Sequence, residues 1–242
     1  MPRPARSYRA MNTTPRFPDV MLLAAGLGTR LRPLTDIRPK PLTELGPVTL
    51  IDRVIANARA EGAEKFVVNA HHLAGQITAH FAGHKDFSIL REEVLLGTGG
   101  GVRNGLSMLK SDPILVMNTD AFWLPGADRP LTRLLARHRA ARAQITLLCV
   151  HPLRAIGFAR SHDFCLDPLG RVTYDSGVPV IYGGVAVADR TAFEGAPEGA
   201  FSLYTLFEKA LAADSLAGAM LDASWFHVGD VEALARAREA VR

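Results

Sequence analysis

The chain has 242 residues, 48% of them hydrophobic and 21% charged, enough for one large domain with a substantial core. Its net charge of +4 comes from 28 basic and 24 acidic residues, but Arg3, Arg6, Arg9 and Arg16 fall in the first eighteen positions, which hold no acid. The rest of the chain is balanced, which excludes a nucleic-acid partner chosen by bulk charge, and no stretch has the length of a membrane span.

Residues 1–18 also carry Pro2, Pro4, Pro15 and Pro18 with no apolar run. They read as a disordered basic tail, or as a start placed upstream of Met11, and not as a secretory signal. Cys149 and Cys165 stand in no metal or redox spacing and read as buried reduced thiols of a cytoplasmic protein.

In chain order, Val20-Met21-Leu22 is an uncharged apolar run, as a buried parallel strand requires. Leu50, Ile51, Val54, Ile55 and Ala58 recur at helical spacing up to Gly62. A second strand is expected over 65–70, a helix over 73–81 closed by Gly83, and a short strand over 87–90. A glycine-rich stretch, 97–101, opens a helix through Val102, Leu106 and Leu109. A strand over 113–117 ends in Asn118-Thr119-Asp120, followed by a helix over 131–140 and a strand over 145–150. This alternation predicts an α/β fold, a doubly wound and mostly parallel sheet. Beyond His151 come strand-like pieces at 164–166, 172–174 and 180–187, and helices over 203–212 and 231–241. They read as a small α+β extension, so that 19–150 and 151–242 form two parts of one domain.

The stretch after the first strand carries the chemistry. Leu23, Ala24 and Ala25 lead into Gly26 and Gly28, where the backbone can turn sharply and present its N–H groups to phosphate oxygens. Thr29 adds a hydroxyl and Arg30 a planar fork, while Lys40 is presented between Pro39 and Pro41. The glycines of a dinucleotide fingerprint are incomplete, because position 31 is Leu, which weighs against a nicotinamide enzyme. In a doubly wound sheet ligands bind where strand order reverses, between the first and fourth strands, so the 26–30 turn and Asp120 should share one crevice. Asp120 suits a hard cation such as Mg²⁺, and Asn69 ends the second strand either near that crevice or as a turn former.

The run Ala25-Gly26-Leu27-Gly28-Thr29-Arg30-Leu31-Arg32-Pro33-Leu34-Thr35, with Pro39-Lys40-Pro41-Leu42 after it, resembles the signature of the sugar-1-phosphate nucleotidyltransferases, the NDP-sugar pyrophosphorylases. Across its length the chain is most similar to a compact bacterial branch that includes N-acetylmuramate-1-phosphate uridylyltransferases, on Arg38–Leu42, Val68–His71, Thr98–Gly101, Asp163-Phe164 and Trp225-x-x-Val228-Gly229. Mannose- and heptose-1-phosphate guanylyltransferases share these motifs. The resemblance implies a Rossmann-like nucleotidyltransferase fold and attack by a sugar 1-phosphate on the α-phosphorus of UTP or GTP, with pyrophosphate leaving. It implies that Arg30 stabilises pyrophosphate, Lys40 bridges phosphates and Asp120 holds Mg²⁺ or Mn²⁺. Gly97, Thr98 and Gly99 match the family's base-binding loop, and Tyr182 and Gly183, with Asp163, fall where it contacts the sugar. The family's late Trp-x-Asp motif reads Trp225-Phe226-His227 here, so His227 stands where a second metal carboxylate is common. Two alternatives stand open: Asp230 replaces that carboxylate from the next turn, or His227 contacts a phosphate with the metal on Asp120 and waters; a non-catalytic nucleotide-sugar regulator is the rival that His227 leaves open. A lactyl carboxylate would want a cation, and Arg154 and Arg160 are the candidates by position.

Overall fold

The computed structural model describes residues 16–126 and 128–241, so most of the expected N-terminal tail, residues 1–15, lies outside them. Its centre is β1 (Val20–Leu23). Val20 and Leu22 enter the core on one face of the sheet and Met21 the core on the other, as alternating strand side chains must. β2 (Phe66–Ala70) pairs parallel to one side of β1, and β3 (Phe87–Arg91) extends that side. β4 (Ile114–Asn118) pairs parallel on the other side. Leu23 is in register with Asn69 and with Asn118, so the loops leaving β1, β2 and β4 start level, where the strand order reverses.

Beyond β4 lies β5 (Ala121–Trp123), then β6 (Ile145–Val150), β7 (Phe164–Leu166), β8 (Val172–Thr173) and β9 (Val178–Ala188). The largely parallel sheet contains one long reversed member, β9. It pairs antiparallel with β4 through Val185–Ala188, with β6 along its other edge, and with β7 at its start. The 151–242 part therefore continues the same sheet. β10 (Leu216–Leu221) adds to β6 in parallel. This strand was not anticipated: its centre, Ala217-Gly218-Ala219, has neither the β-branched nor the aromatic residues that mark strands, and small residues are what fit beneath Leu166 and beside Cys149. Another unanticipated piece, β11 (Trp225–His227), pairs antiparallel with β5 and parallel with Ala155–Ile156 to form a separate three-stranded sheet.

Helices cover both faces. α1 (Leu50–Arg59) buries the five expected apolar residues, and a reciprocal cap between Thr49 and Asp52 sets its start. α2 (Ala74–His80) directs His80 Nε2 onto Asp52 Oδ1 at 2.8 Å, which ties it to α1. α3 (Gly97–Gly105) and α5 (Leu203–Ala212) pack on the Met21 face, whereas α1, α4 (Pro130–Ala141) and α6 (Val231–Ala240) pack on the Val20 face. Among the described residues no helix is long and apolar enough to cross a membrane.

The start of α4 has no side-chain cap of its own, and a distant carboxylate supplies one: Glu61, itself buried, accepts from the amides of Leu131 at 2.9 Å and Thr132 at 2.7 Å. Glu61→Ala is expected to cost about 1–3 kcal/mol by stranding both donors, with Glu61→Gln losing less. Thermal melting checks this; equal melting points for the three proteins would show that the cap contributes nothing.

Candidate active site

Two adjoining cavities open at the carboxyl ends of β1 and β4. The first, about 340 Å³, is lined by the 23–30 turn, Lys40, Asn69, Gly97, Thr98 and Asp120. Leu23, Ala24, Ala25, Gly26, Gly28 and Thr29 all reach it, as the sequence reading expected. Gly28 is the turn's indispensable residue: its φ is +65°, and a Cβ there would lie 2.8 Å from the Thr35 methyl and 3.1 Å from Lys40 Cβ. Thr35 Oγ donates to the Gly28 carbonyl at 2.9 Å, locking the turn from behind. Gly26 needs no such freedom, because a Cβ there meets nothing within 4 Å; it leaves the cleft floor open.

Lys40 and Asp120 meet across this cleft, with Lys40 Nζ 2.5 Å from Asp120 Oδ2. Both side chains are mostly withdrawn from water, at 13% and 25% exposure, so the charges act through a poorly screening medium. Burial by itself would raise the pKa of Asp120. The neighbouring Lys40 ammonium, with help from His227, outweighs it and holds the carboxyl far below the usual carboxylate range. His227 Nε2 lies 3.6 Å from the same oxygen and its Nδ1 3.4 Å from the Gly157 carbonyl. It arrives there by pairing: β11 runs beside β5 with His227 opposite Ala121, and the Val228 amide donates to the Asp120 carbonyl at 2.8 Å.

Asn69 is more committed than its strand-end position suggested. Its Oδ1 accepts from the Ala24 amide and its Nδ2 donates to buried Glu92, each at 2.8 Å, so it fixes the start of the phosphate-facing turn. Gly101 of α3 covers this pair so closely that a Cβ would lie 2.6 Å from Asn69 Nδ2. Glu92 was not singled out from sequence, since a Glu-Glu pair after a strand reads as a solvated turn. In the 97–99 segment only Gly97 and Thr98 face the cleft. Thr98 Oγ also accepts from the Leu203 amide at 2.9 Å, and Gly99 is turned toward Phe201, whose carbonyl takes its amide at 2.9 Å.

The second cavity, about 450 Å³, shares Arg30, Thr98 and Asn118 with the first and extends over Tyr182, Trp225 and His227. Asp163 and Tyr182 both line it. Gly183 does not: its carbonyl is taken by Trp225 Nε1 at 3.0 Å, and Gly184 occupies the wall instead. Asp163 is 1% exposed; it accepts from the Tyr182 amide at 2.9 Å and pairs with Arg160 at 2.6 Å. Asp230 lines the rim, but its Oδ1 caps α6 by accepting from Ala233 at 2.9 Å. Arg154 pairs with Asp222 at 3.2 Å and does not line the cavity. Asn118 and Tyr204 were missed as wall residues; a strand-end Asn beside Asp120 was a usable signal, whereas Tyr204 sits on an ordinary amphipathic helix.

Among the described residues no three His, Cys, Asp or Glu side chains converge as a metal site. A cation held by protein ligands alone does not fit. A Mg²⁺ that takes one carboxylate, several waters and substrate oxygens does fit the ionised, cleft-facing Asp120.

A glycine turn, a lysine and a strand-end carboxylate line one cleft, and a second cavity adjoins it. The chain belongs to the nucleotidyl transferase family, which it matches over residues 19–155. It is 32% identical over 233 residues to N-acetylmuramate alpha-1-phosphate uridylyltransferase of Caulobacter vibrioides, covering 92% of this chain and 96% of that protein. It is 35% identical over 136 residues to mannose-1-phosphate guanylyltransferase of Mycobacterium tuberculosis, covering 54% of this chain but 37% of that one. Its fold is that of HddC from Yersinia pseudotuberculosis, solved with GMP-PN (TM-score 0.73, 18% identity, 93% and 100% of the two chains). It is also that of a UDP-glucose pyrophosphorylase solved with UDP-glucose (TM-score 0.76, 15% identity, 93% and 98%).

Two outcomes follow from these contacts. Asn69→Ala strands the Ala24 amide and Glu92, and is expected to cost about 1–3 kcal/mol and to weaken nucleotide binding; melting with and without nucleoside triphosphate reads both, and an unchanged nucleotide-induced shift would refute the link to the turn. A carboxyl depressed in the folded state contributes its stability in full above its unfolded pKa and loses it as pH falls. The stability that the wild type gains from this carboxylate over Asp120→Asn should therefore be present at pH 5 and shrink progressively as pH falls below about 4. Urea unfolding of both proteins across that range checks it.

Proposed function

We propose that the chain transfers a uridylyl group from UTP to a sugar 1-phosphate, with N-acetylmuramate 1-phosphate as acceptor, giving the UDP-sugar and pyrophosphate. The observation that carries this reading is the Lys40–Asp120 pair on the turn-lined cleft, in a chain that matches an N-acetylmuramate alpha-1-phosphate uridylyltransferase over nearly its full length. Residues 19–150 bind the nucleotide and 151–242 supply most of the acceptor wall.

The 24–29 turn receives the triphosphate on its amides, and Thr98 and Gly97 border the base. Lys40 neutralises phosphate oxygens that would otherwise repel the acceptor. Arg30, on the wall common to both cavities, meets the charge that builds on the departing pyrophosphate. The acceptor's phosphate enters past Asn118, and one of its oxygens forms a bond to the α-phosphorus as the bond to the β-phosphate oxygen breaks. Asp120, with His227 beside it, is the carboxylate that would hold Mg²⁺ or Mn²⁺; when bound, the ion supplies positive charge against the phosphate oxygens. Tyr182 and Asp163 form the sugar wall.

The second reading is GTP with a mannose or heptose 1-phosphate, which the match to the mycobacterial guanylyltransferase favours. Pyrophosphate release from each nucleoside triphosphate with a panel of sugar 1-phosphates separates the two. Ligand binding without release under any pair would leave the non-catalytic regulator as the correct description. In the productive pair, Lys40→Ala, Arg30→Ala and Asp120→Ala should each lower turnover by about 10²–10³ while melting cooperatively; near-normal release from all three would overturn these roles.

A further inference from the structure

Among the described residues Asp120 is the single carboxylate on the wall of the first cavity, and Lys40 and Arg30 are its cations. Lys40 is fully engaged by that carboxylate: its Nζ donates to Asp120 Oδ2 at 2.5 Å and to no other acceptor among the described residues. His227 Nε2 lies 3.6 Å from the same oxygen. Oδ1 has no hydrogen bond among the described residues, so a cation that took it would still share the carboxylate with the ammonium.

The roles proposed above make opposite demands on this pair. Lys40 has to reach phosphate oxygens, and Asp120 has to hold a divalent cation. Such a cation would lie about 2.0–2.1 Å from a carboxylate oxygen, close to the ammonium and in a medium that screens poorly. With Lys40 on Asp120 the wall offers it no net negative charge, since Arg30 is left over. A triphosphate without a cation meets the complementary obstacle. Lys40 is already engaged, and drawing it off bares a carboxylate that repels phosphate. Each ligand removes the other's obstacle: phosphate oxygens give Lys40 a new partner, and a cation answers the carboxylate that Lys40 leaves.

The exchange needs rotation of side chains only. The Lys40 backbone is held between Pro39 and Pro41, and its carbonyl accepts from the Thr43 amide at 3.0 Å. The Asp120 carbonyl accepts from the Val228 amide at 2.8 Å. Both main chains can stay fixed while the charges part.

We infer that the Lys40–Asp120 ion pair is a self-blocking contact that couples the two ligands, so that neither a divalent cation nor a triphosphate binds well alone and each admits the other. The inference rests on the reading of this cleft as the triphosphate site and of Asp120 as the residue that would hold the cation. The coupling is reciprocal, because it is a difference in binding free energy.

The test measures binding without an acceptor sugar, so that no turnover intervenes, in the wild type, Lys40→Gln, Asp120→Asn and the double variant. Mn²⁺ alone is followed by the resonance of the free ion, and UTP in excess EDTA by calorimetry, with GTP in its place if GTP is the productive nucleotide. Lys40→Gln should bind Mn²⁺ at least about tenfold tighter than the wild type, and the double variant should lose that gain. Asp120→Asn should bind metal-free UTP at least about tenfold tighter than the wild type, and the same substitution in the Lys40→Gln background should gain about threefold at most. If Lys40→Gln takes up Mn²⁺ no better than the wild type, or if Asp120→Asn helps UTP equally with and without Lys40, the inference falls while the proposed activity stands. Should Lys40→Gln not fold, the wild type decides: its affinity for Mn²⁺ alone should equal that of Asp120→Asn, and one about tenfold tighter overturns the inference. If neither UTP nor GTP binds the wild type with Mn²⁺ present, the reading of the cleft falls as well.

Discussion

The site is organised by one ion pair formed between residues 80 positions apart. Lys40 leaves the proline-framed segment after β1, and Asp120 ends the run after β4. Neither charge would be tolerated so far from water without the other, since removing one partner of a withdrawn pair leaves an uncompensated charge. The pair therefore requires the two strand ends to be level, which the parallel register of β1 and β4 supplies, and Thr119 Oγ donating to the Leu23 carbonyl at 2.7 Å reinforces it. Lys40 points into the cleft and Asp120 is held ionised without any ligand. The protein does not have to reorganise its charges at the moment of reaction, which is where preorganised sites gain most.

Around that pair the chain builds by delivery. Three-residue strands that would be negligible alone, β5 and β11, carry Asp120 and His227 to each other and place Trp225 under the second cavity. Asn69, Glu92 and Gly101 come from β2, the loop after β3 and α3, and together fix a single backbone amide at Ala24. Thr98 links the cleft to α5 by accepting from Leu203. The two cavities are thus joined by a direct hydrogen bond as well as by common walls.

Much of this was legible in the sequence where the physics is local. The apolar run at β1, the helical spacing of Leu50 to Ala58 and the turn at Gly28 depend on neighbours a few residues away, and each stood where expected. The meeting of Gly28, Lys40 and Asp120 followed from one topological rule. What escaped depends on distant partners. β10 is made of small residues whose suitability shows only once Leu166 and Cys149 lie against them. Glu61 caps a helix whose start is about seventy residues on, and nothing near Glu61 announces it. Gly183 and Gly184 are indistinguishable as letters, yet the irregular pairing of β9 with β6 between Tyr182 and Ala186 turns only the second toward the cavity.

The reversed strand β9 also limits how the molecule can be divided. It closes β4 on one edge and β6 on the other, so a fragment cut near residue 155, where the match to the family model ends, would retain the Gly28 turn but leave β4 bare on one edge and β6 without either neighbour. Such edges invite pairing with other chains. The 151–242 part of the chain is therefore also the flank that shields the strand edges of the 19–150 part.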